Sequence, residues 1–342
     1  LDYASQGRAV TAEDYKVYVR KLFPNTQAVS VWGGEDGSFD SSTGVSSTPE
    51  YGKVFISVKS TTSLNLTTSQ KENLVKDLNP YKVASITPVI VDPETTFIIL
   101  GITFNYNSSA TTQSKTDLET SVSNTIASFT DNNLEDFNLP FRHSLVTGLI
   151  DDVDSAITNN TTTVTMGKFF TPSLTTSTNY TVSFNNAFYN PHSGHNSSGG
   201  GVIASTGFQI DGDTSTEYFF DEDGSGNLRT YSIVSGTRTY LNSTAGSVDY
   251  ANGIVTINAL KITAVSNVDG QTSTTIRVTA IPSSNDIVPV RNQLLEIDLV
   301  NTTISGQVDN TTTTGVGYTT TTSGTASTTS VNTTTSYPTS SS

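Results

Sequence analysis

Apolar and polar positions along the chain follow two periods, and the change between them sets out its organisation. From Gly7 to Gly34 the sequence reads GRAVTAEDYKVYVRKLFPNTQAVSVWGG. Thr11 is placed to cap a helix, and Asp14, three residues on, is placed to reach back to the cap amide. Val10 and Tyr15 have the spacing of a hydrophobic staple. Glu13 and Asp14 in the first turn and Arg20 and Lys21 in the last suit the helix dipole. Phe23-Pro24 stops the helix, because the residue before proline is pushed out of the helical region. Val29 and Val31 then alternate as in a strand that runs into Trp32-Gly33-Gly34.

The same two periods recur as far as Pro172. After a polar loop, Glu35 to Glu50, a strand is expected over Tyr51 to Lys59. A second helix is expected to start at Ser69 with Glu72 as its capping-box partner, with Leu74, Val75 and Leu78 as its buried stripe. Val83 to Val91 contains Pro88 and therefore reads as an edge or bulged strand. Phe97 to Tyr106 is the strongest strand, with Leu100, Ile102, Phe104 and Tyr106 on one side. Ser114 and Asp117 open a third helix with the stripe Leu118, Val122, Ile126 and Phe129. Leu139-Pro140 opens a fourth, with Leu145, Val146, Leu149, Ile150 and Val153 facing inward. A strand follows around Val164. Helices on one side of a largely antiparallel sheet define an α+β fold over residues 1–171.

Beyond Pro172 the helical period is lost. Short strands are expected at Tyr180 to Phe184, Leu228 to Val234, Ile254 to Val265, Thr274 to Ile281 and Leu294 to Val300. Asn252-Gly253 marks a hairpin, and Asp223-Gly224 with Gly226-Asn227 marks another. Residues 172–309 thus read as an all-β sandwich or barrel-like domain, with the boundary near Thr171. Residues 310–342 are a Thr/Ser-rich, low-complexity tail whose composition alone predicts disorder.

Charge and composition narrow the functional classes. The chain has 342 residues, 31 acidic and 17 basic, for a formal net charge of -14. A nucleic-acid surface needs clustered Lys and Arg, so no nucleic-acid partner is expected. Only 34% of residues are hydrophobic, so neighbouring proteins are expected to supply part of the stability. There is no cysteine, which removes disulfides, thiolate zinc sites and thiol catalysis. No apolar run approaches the roughly 20 residues of a spanning helix, and no membrane partner is expected.

The chemistry-bearing residues form no recognisable catalytic pattern. His192 and His195 lie close in sequence, but in a glycine-rich loop that offers no frame for further metal ligands. Asp221 to Asn227 resembles a calcium loop at a glance but lacks the spaced acidic ladder and the distal glutamate, and the hairpin turn is the stronger reading. Asp151, Asp152 and Asp154 read as the solvated side of the fourth helix. His143 reads as a packed or surface histidine. No nucleophile elbow, phosphate loop or dinucleotide fingerprint occurs. The expectation is a non-enzyme without cofactor or metal. Asn-x-Ser/Thr sequons at Asn65, Asn107, Asn160, Asn179, Asn196, Asn242 and Asn301 are what a chain this rich in Asn, Ser and Thr produces by chance.

The Gly-Arg-Ala-Val-Thr-Ala-Glu-Asp-Tyr opening, followed by a helix, Phe-Pro, a strand and Gly-Gly-Glu, resembles the baseplate J-like family. These are baseplate wedge proteins of contractile-tailed bacteriophages, including the large wedge subunits of T-even-type myoviruses, and of related injection machines. The specific motif spans Gly7 to Glu35, and a looser likeness of element order extends to about Pro172. In that family the module lies well inside a longer chain. Here it starts near the front of a chain that begins with Leu1, so an N-terminal part is expected to precede it. The resemblance implies a structural subunit of the tail baseplate in the virion, assembled in the bacterial host cytoplasm. Its implied partners are other copies of itself, other wedge proteins, and neighbours in the hub or tail tube. It also implies a ring around the hub that rearranges on contraction. Tyr15, Tyr18 and Trp32 are the contact residues expected on this reading, with core packing as the competing role for Trp32. The alternatives are an extracellular adhesin or carbohydrate-binding glycoprotein, and a tail-associated hydrolase.

Overall fold

The computed structural model describes residues 7–36, 48–63, 65–192, 201–268 and 270–309. The expected low-complexity tail, His195, the sequon at Asn196 and most of the polar loop after Trp32 lie outside them.

The first unit follows the expected order. Helix α1 (Ala12–Leu22) leads into strand β1 (Thr26–Gly33), strand β2 (Lys53–Ser60), helix α2 (Thr68–Leu78) and strand β3 (Thr87–Val91). Thr11 caps α1 as its composition predicts. Its Oγ1 accepts from the Asp14 amide at 3.2 Å, and Asp14 accepts in return from the Thr11 amide at 2.9 Å. Val10 stays exposed, so the staple is not formed, while Tyr15 is buried. The box of α2 sits one step earlier than Ser69 and Glu72: Thr67 pairs with Gln70. The sheet order is β1-β2-β3, with β1 antiparallel and β3 parallel to β2. It is therefore mixed and not antiparallel throughout, and α2 provides the crossover that a parallel pair requires. Pro88 lies in the edge strand β3, where its missing N–H costs no ladder bond.

Strand β4 (Glu94–Tyr106), helix α3 (Lys115–Asn133), helix α4 (His143–Asp151) and strand β5 (Ile157–Phe170) come next. The α3 stripe Leu118, Val122, Ile126 and Phe129 is buried as expected. Helix α4 starts later than Leu139-Pro140, and only Val146 and Ile150 of its expected stripe are buried. Leu145 and Leu149 face out, because nine residues give one narrow buried stripe and these two fall beside it.

The remaining strands are β6 (Thr178–Ser183), β7 (Ile203–Ser205), β8 (Phe208–Ile210), β9 (Asp213–Glu222), β10 (Asn227–Val234), β11 (Thr237–Asp249), β12 (Ile254–Leu260), β13 (Ile262–Val265), β14 (Ile276–Ala280), β15 (Gln293–Ile297) and β16 (Thr303–Val308). They divide between two sheets. One has seven strands in the order β13-β8-β9-β10-β11-β12-β6. The other has the order β15-β4-β5-β14-β7, with β16 also on β4. One sheet curls as a half-barrel.

The second sheet joins chain from both sides of Thr171. Strands β15 and β16 lie in line along one edge of β4, both parallel to it, and β14 pairs with β5. One apolar cluster runs from Ile98 and Phe104 through α3 and α4 to Phe208, Phe220 and Ile257 of the seven-stranded sheet. Hydrogen bonding and packing therefore continue across the expected boundary. The break in packing falls earlier: residues 9–91 have their own core around Tyr15, Val19, Ile56 and Leu78, and the chain passes out of it through Asp92-Pro93.

The Asn252-Gly253 signal marks a real hairpin, although its loop is longer than two residues. Asp249 pairs with Ile254, and residues 250–253 form the loop. Gly253 has φ 67°, and a Cβ there would overlap the backbone oxygen of Asn186. Gly253→Ala therefore combines left-handed strain with a backbone collision. A loss of at least about 1–3 kcal/mol is expected in urea unfolding, and a loss under about 0.5 kcal/mol, the level of an ordinary surface substitution, would contradict this account of the turn.

Candidate interaction site

The three aromatic residues expected at a contact surface lie inside the first unit. Tyr15 and Tyr18 are each 2% exposed, and Trp32 is 8% exposed. Tyr18 stacks on Tyr81 at 4.4 Å and Trp32 on Phe55 at 5.7 Å. An amphipathic helix turns its apolar stripe to its own sheet first, and Trp32 takes the core role. The hydroxyls of both tyrosines and Nε1 of Trp32 are buried and find no hydrogen-bond partner among the described residues. Burial of the phenol pushes the Tyr15 pKa up.

What α1 presents outward is charged. Glu13, Lys16 and Arg20 line a groove of about 240 Å³ together with Asp136 and Asn138 of the segment between α3 and α4. Lys16 pairs with Glu13 at 2.7 Å, and Arg20 approaches Asp136 at 3.9 Å. The groove thus runs along the seam between the first unit and the main body.

A short segment at the start of β15 closes that seam, and no pattern in the sequence marked it. The carbonyl of Arg291 accepts from Ser30 Oγ of β1 at 2.9 Å, and the Arg291 guanidinium donates to the carbonyl of Asp36. Asn292 donates its side-chain amide to the carbonyl of Asp92 at 3.0 Å, and its own carbonyl accepts from the Glu94 amide at 2.8 Å. Gln293 is buried and donates to Thr96 Oγ1 and the carbonyl of Phe184. Ala28, Phe137 and Leu294 form a small apolar contact between the two bodies. Arg291 holds φ 50°, unusual for a non-glycine residue. Three consecutive residues thus tie the first unit to the sheet behind it.

The candidate metal and catalytic residues have structural partners. Asp223 accepts from the amides of Ser225 and Asn227, which is a hairpin turn. His143 Nε2 lies 2.8 Å from the carbonyl of Thr162, in a packed position. Asp151 accepts from Asn160 and Asp154 from the Ala156 amide. Among the described residues no group of three His, Cys, Asp or Glu side chains converges as a metal site would require. No helix among them is long and apolar enough to cross a membrane.

Several carboxylates are held below their ordinary range by local bonds. Amide hydrogen bonds from Thr11 and Val10 lower Asp14. The Ser114 hydroxyl and amide lower Asp117. The Asn252 side chain lowers Asp249, and Arg142 lowers Asp286. A depressed folded-state pKa contributes stability that is present above the unfolded value of about 3.9 and is lost as pH falls through the folded value. The melting temperature is therefore expected to stay level down to about pH 5 and to drop below about pH 4. A decline already complete between about pH 7 and 5 would point to other groups, since histidine titrates there.

With this geometry in place, the comparisons show what the chain is similar to. Residues 11–91 match the family described as baseplate structural protein gp6, C-terminal domain I, and residues 94–168 match C-terminal domain III of the same protein. The two matches meet at Asp92-Pro93, where the structure passes from the first core to the second. A particular relative is the baseplate wedge protein gp6 of Enterobacteria phage T4, 31% identical over 163 residues. That alignment covers 47% of this chain and 23% of the T4 protein, so the chain spans about a quarter of its relative's length. The family description that matches is gp6, in place of the baseplate J-like designation expected from the motif.

Proposed function

We propose that this chain is a structural part of a baseplate wedge in a contractile phage tail, located in the virion. The observation that carries this reading is the consecutive pair of gp6 matches over residues 11–168, the first falling on the unit with its own core and the second on the part of the main body that follows Asp92-Pro93. In this role the chain works by packing against other copies and other wedge proteins around the hub, and no catalytic step is needed. The Gly7 to Glu35 motif is the J-like element of this wedge. Its capping box and helix-on-sheet packing support that assignment. The polar groove between α1 and residues 136–138, at the seam closed by Arg291 to Gln293, is where a rearrangement on contraction would be felt first.

The test is fractionation of purified particles of the phage that encodes the chain, with an antibody raised against it. The expected result is detection in intact particles and in isolated baseplates, with none in heads or free tail tubes. Detection only in the unassembled pool would overturn the reading.

A further inference from the structure

The peptide bond between Asp92 and Pro93 joins the two cores and carries an unusual set of contacts. It is the only Asp-Pro bond in the chain. Both of its sides are fixed in sheets. Strand β3 ends at Val91, paired with Ser57, and β4 begins at Glu94, paired with Gln293. Pro93 is buried. The Asp92 carbonyl oxygen accepts from Nδ2 of Asn292 at 3.0 Å, and Asn292 is itself 1% exposed. The Asn292 carbonyl in turn accepts from the Glu94 amide at 2.8 Å, which fixes the donor against the chain just beyond the bond.

The two carboxylate oxygens of Asp92 differ. Oδ2 accepts from Lys71 Nζ of α2 at 2.6 Å. Oδ1 is buried and has no hydrogen-bond partner among the described residues. A desolvated, unbonded oxygen costs stability. The same state favours it as a nucleophile, because no donor has to be displaced before it reacts. An aspartate side chain reaches its own main-chain carbonyl carbon, where attack closes a small cyclic anhydride, so nucleophile and target are already joined. Proline supplies a tertiary amide with no N–H, whose nitrogen leaves as a secondary amine.

We propose that the chain cuts itself between Asp92 and Pro93. Oδ1 of Asp92 adds to the Asp92 carbonyl carbon, and the carbonyl oxygen takes up the negative charge. The Asn292 side-chain N–H, already bonded to that oxygen, stabilises the charge as it develops. Lys71 fixes the carboxylate through Oδ2 and leaves Oδ1 to react. Collapse of the adduct completes the C–O bond of the anhydride and breaks the C–N bond. The Pro93 nitrogen takes a proton from solvent and leaves as a free amine. A water molecule then opens the anhydride and restores the Asp92 side chain beside a new chain terminus. Water is the sole co-reactant. The two pieces stay together, because the Ser30, Arg291 and Asn292 bonds and the contact of Ala28, Phe137 and Leu294 still span the seam. The unit of residues 9–91 is then held to the main body by noncovalent bonds alone, free of the strand-to-strand connection that restrains it.

The experiment incubates the purified full chain at about pH 5, where the fold is expected to stay intact, beside a sample held unfolded in urea at the same pH. Intact mass and N-terminal sequencing follow the products. The expected result is a pair of fragments, one ending at Asp92 and one beginning at Pro93. They should form at least about tenfold faster in the folded chain than in the unfolded one and should co-elute on gel filtration. Asn292→Ala should slow the cut at least about tenfold, and so should Asp92→Glu, which keeps the charge but enlarges the ring to be closed. Ser30→Ala, which removes a seam bond without touching the Asp92-Pro93 peptide, should leave the rate unchanged. Circular dichroism confirms that each variant folds. Asp-Pro bonds break slowly in acid in any chain, so a rate in urea equal to or above that of the folded chain would overturn the proposal. A folded chain that stays whole would overturn it too, as would a rate unmoved by Asn292→Ala and Asp92→Glu or lowered as much by Ser30→Ala. The cut does not rest on the baseplate reading, and each of these outcomes leaves that reading untouched.

Discussion

Asp221→Ala is expected to cost about 3 kcal/mol of folding stability, near the low end of the range for breaking a buried ion pair by removing one partner. The carboxylate is 1% exposed and joins Arg229, Arg238 and Tyr240 at the base of the β10–β11 hairpin. Most of the loss comes from Arg229, whose side chain is nearly buried and would be left with a desolvated charge. It keeps its bond to the carbonyl of Glu222 at 2.6 Å, which holds the cost at the lower end. Arg238 is more exposed and adds little. Urea unfolding would measure the change, and amide exchange should show residues 229–242 losing protection first. A cost below about 1 kcal/mol would mean that the β10–β11 hairpin holds its shape without the Asp221 bonds.

Phe104→Ala is expected to cost about 3–5 kcal/mol, the usual range for emptying a large buried aromatic site. Phe104 is fully buried in β4 and lies opposite Gly306 of β16. A Cβ at residue 306 would meet the Phe104 ring at 2.8 Å, so the glycine and the ring fit as a pair. Because β4 and β16 lie far apart in sequence, the variant should unfold in one transition that includes both. Two separate transitions, one for residues before Thr171 and one for those after it, would contradict the shared core described above.

The two effects also show which parts of the fold were legible in the sequence. Helices α1 and α3 were legible because their capping boxes and apolar stripes are local, complete within about twenty residues. Strand β4 was legible because its alternation is long and clean. The continuity of the core across Thr171 was not, because it rests on pairs such as Gln293 with Thr96, 197 residues apart, and local periodicity carries no information about which strands pair. Parallel addition of β15 and β16 to β4 leaves no hairpin signal of the kind that announced β11 and β12.

The candidate site was legible in outline only. The capping motif lies where the gp6 matches begin, at residue 11, although the J-like designation expected from it is not the description that matches. Tyr15, Tyr18 and Trp32 were expected at a contact surface, Trp32 with core packing as its competing role, yet all three are buried, since an amphipathic helix needs its apolar stripe for its own sheet. The Arg291 to Gln293 tie has no sequence signature, since its side chains bond mainly to backbone carbonyls far away in the chain, which any residue offers. The β10–β11 hairpin had one readable sign, the Ser235-Gly236 turn between Val234 and Thr237. It is a weaker turn signal than Asn-Gly.

The proposed place of this chain in a wedge is tested most directly by electron cryomicroscopy of intact particles of the phage that encodes it. The account predicts density at the end of the tail, in a ring about the hub, into which the unit of residues 9–91 and the β body fit with Asp92-Pro93 between them. Baseplate density fully accounted for by other proteins, with this chain found elsewhere on the particle or absent from it, would contradict the account.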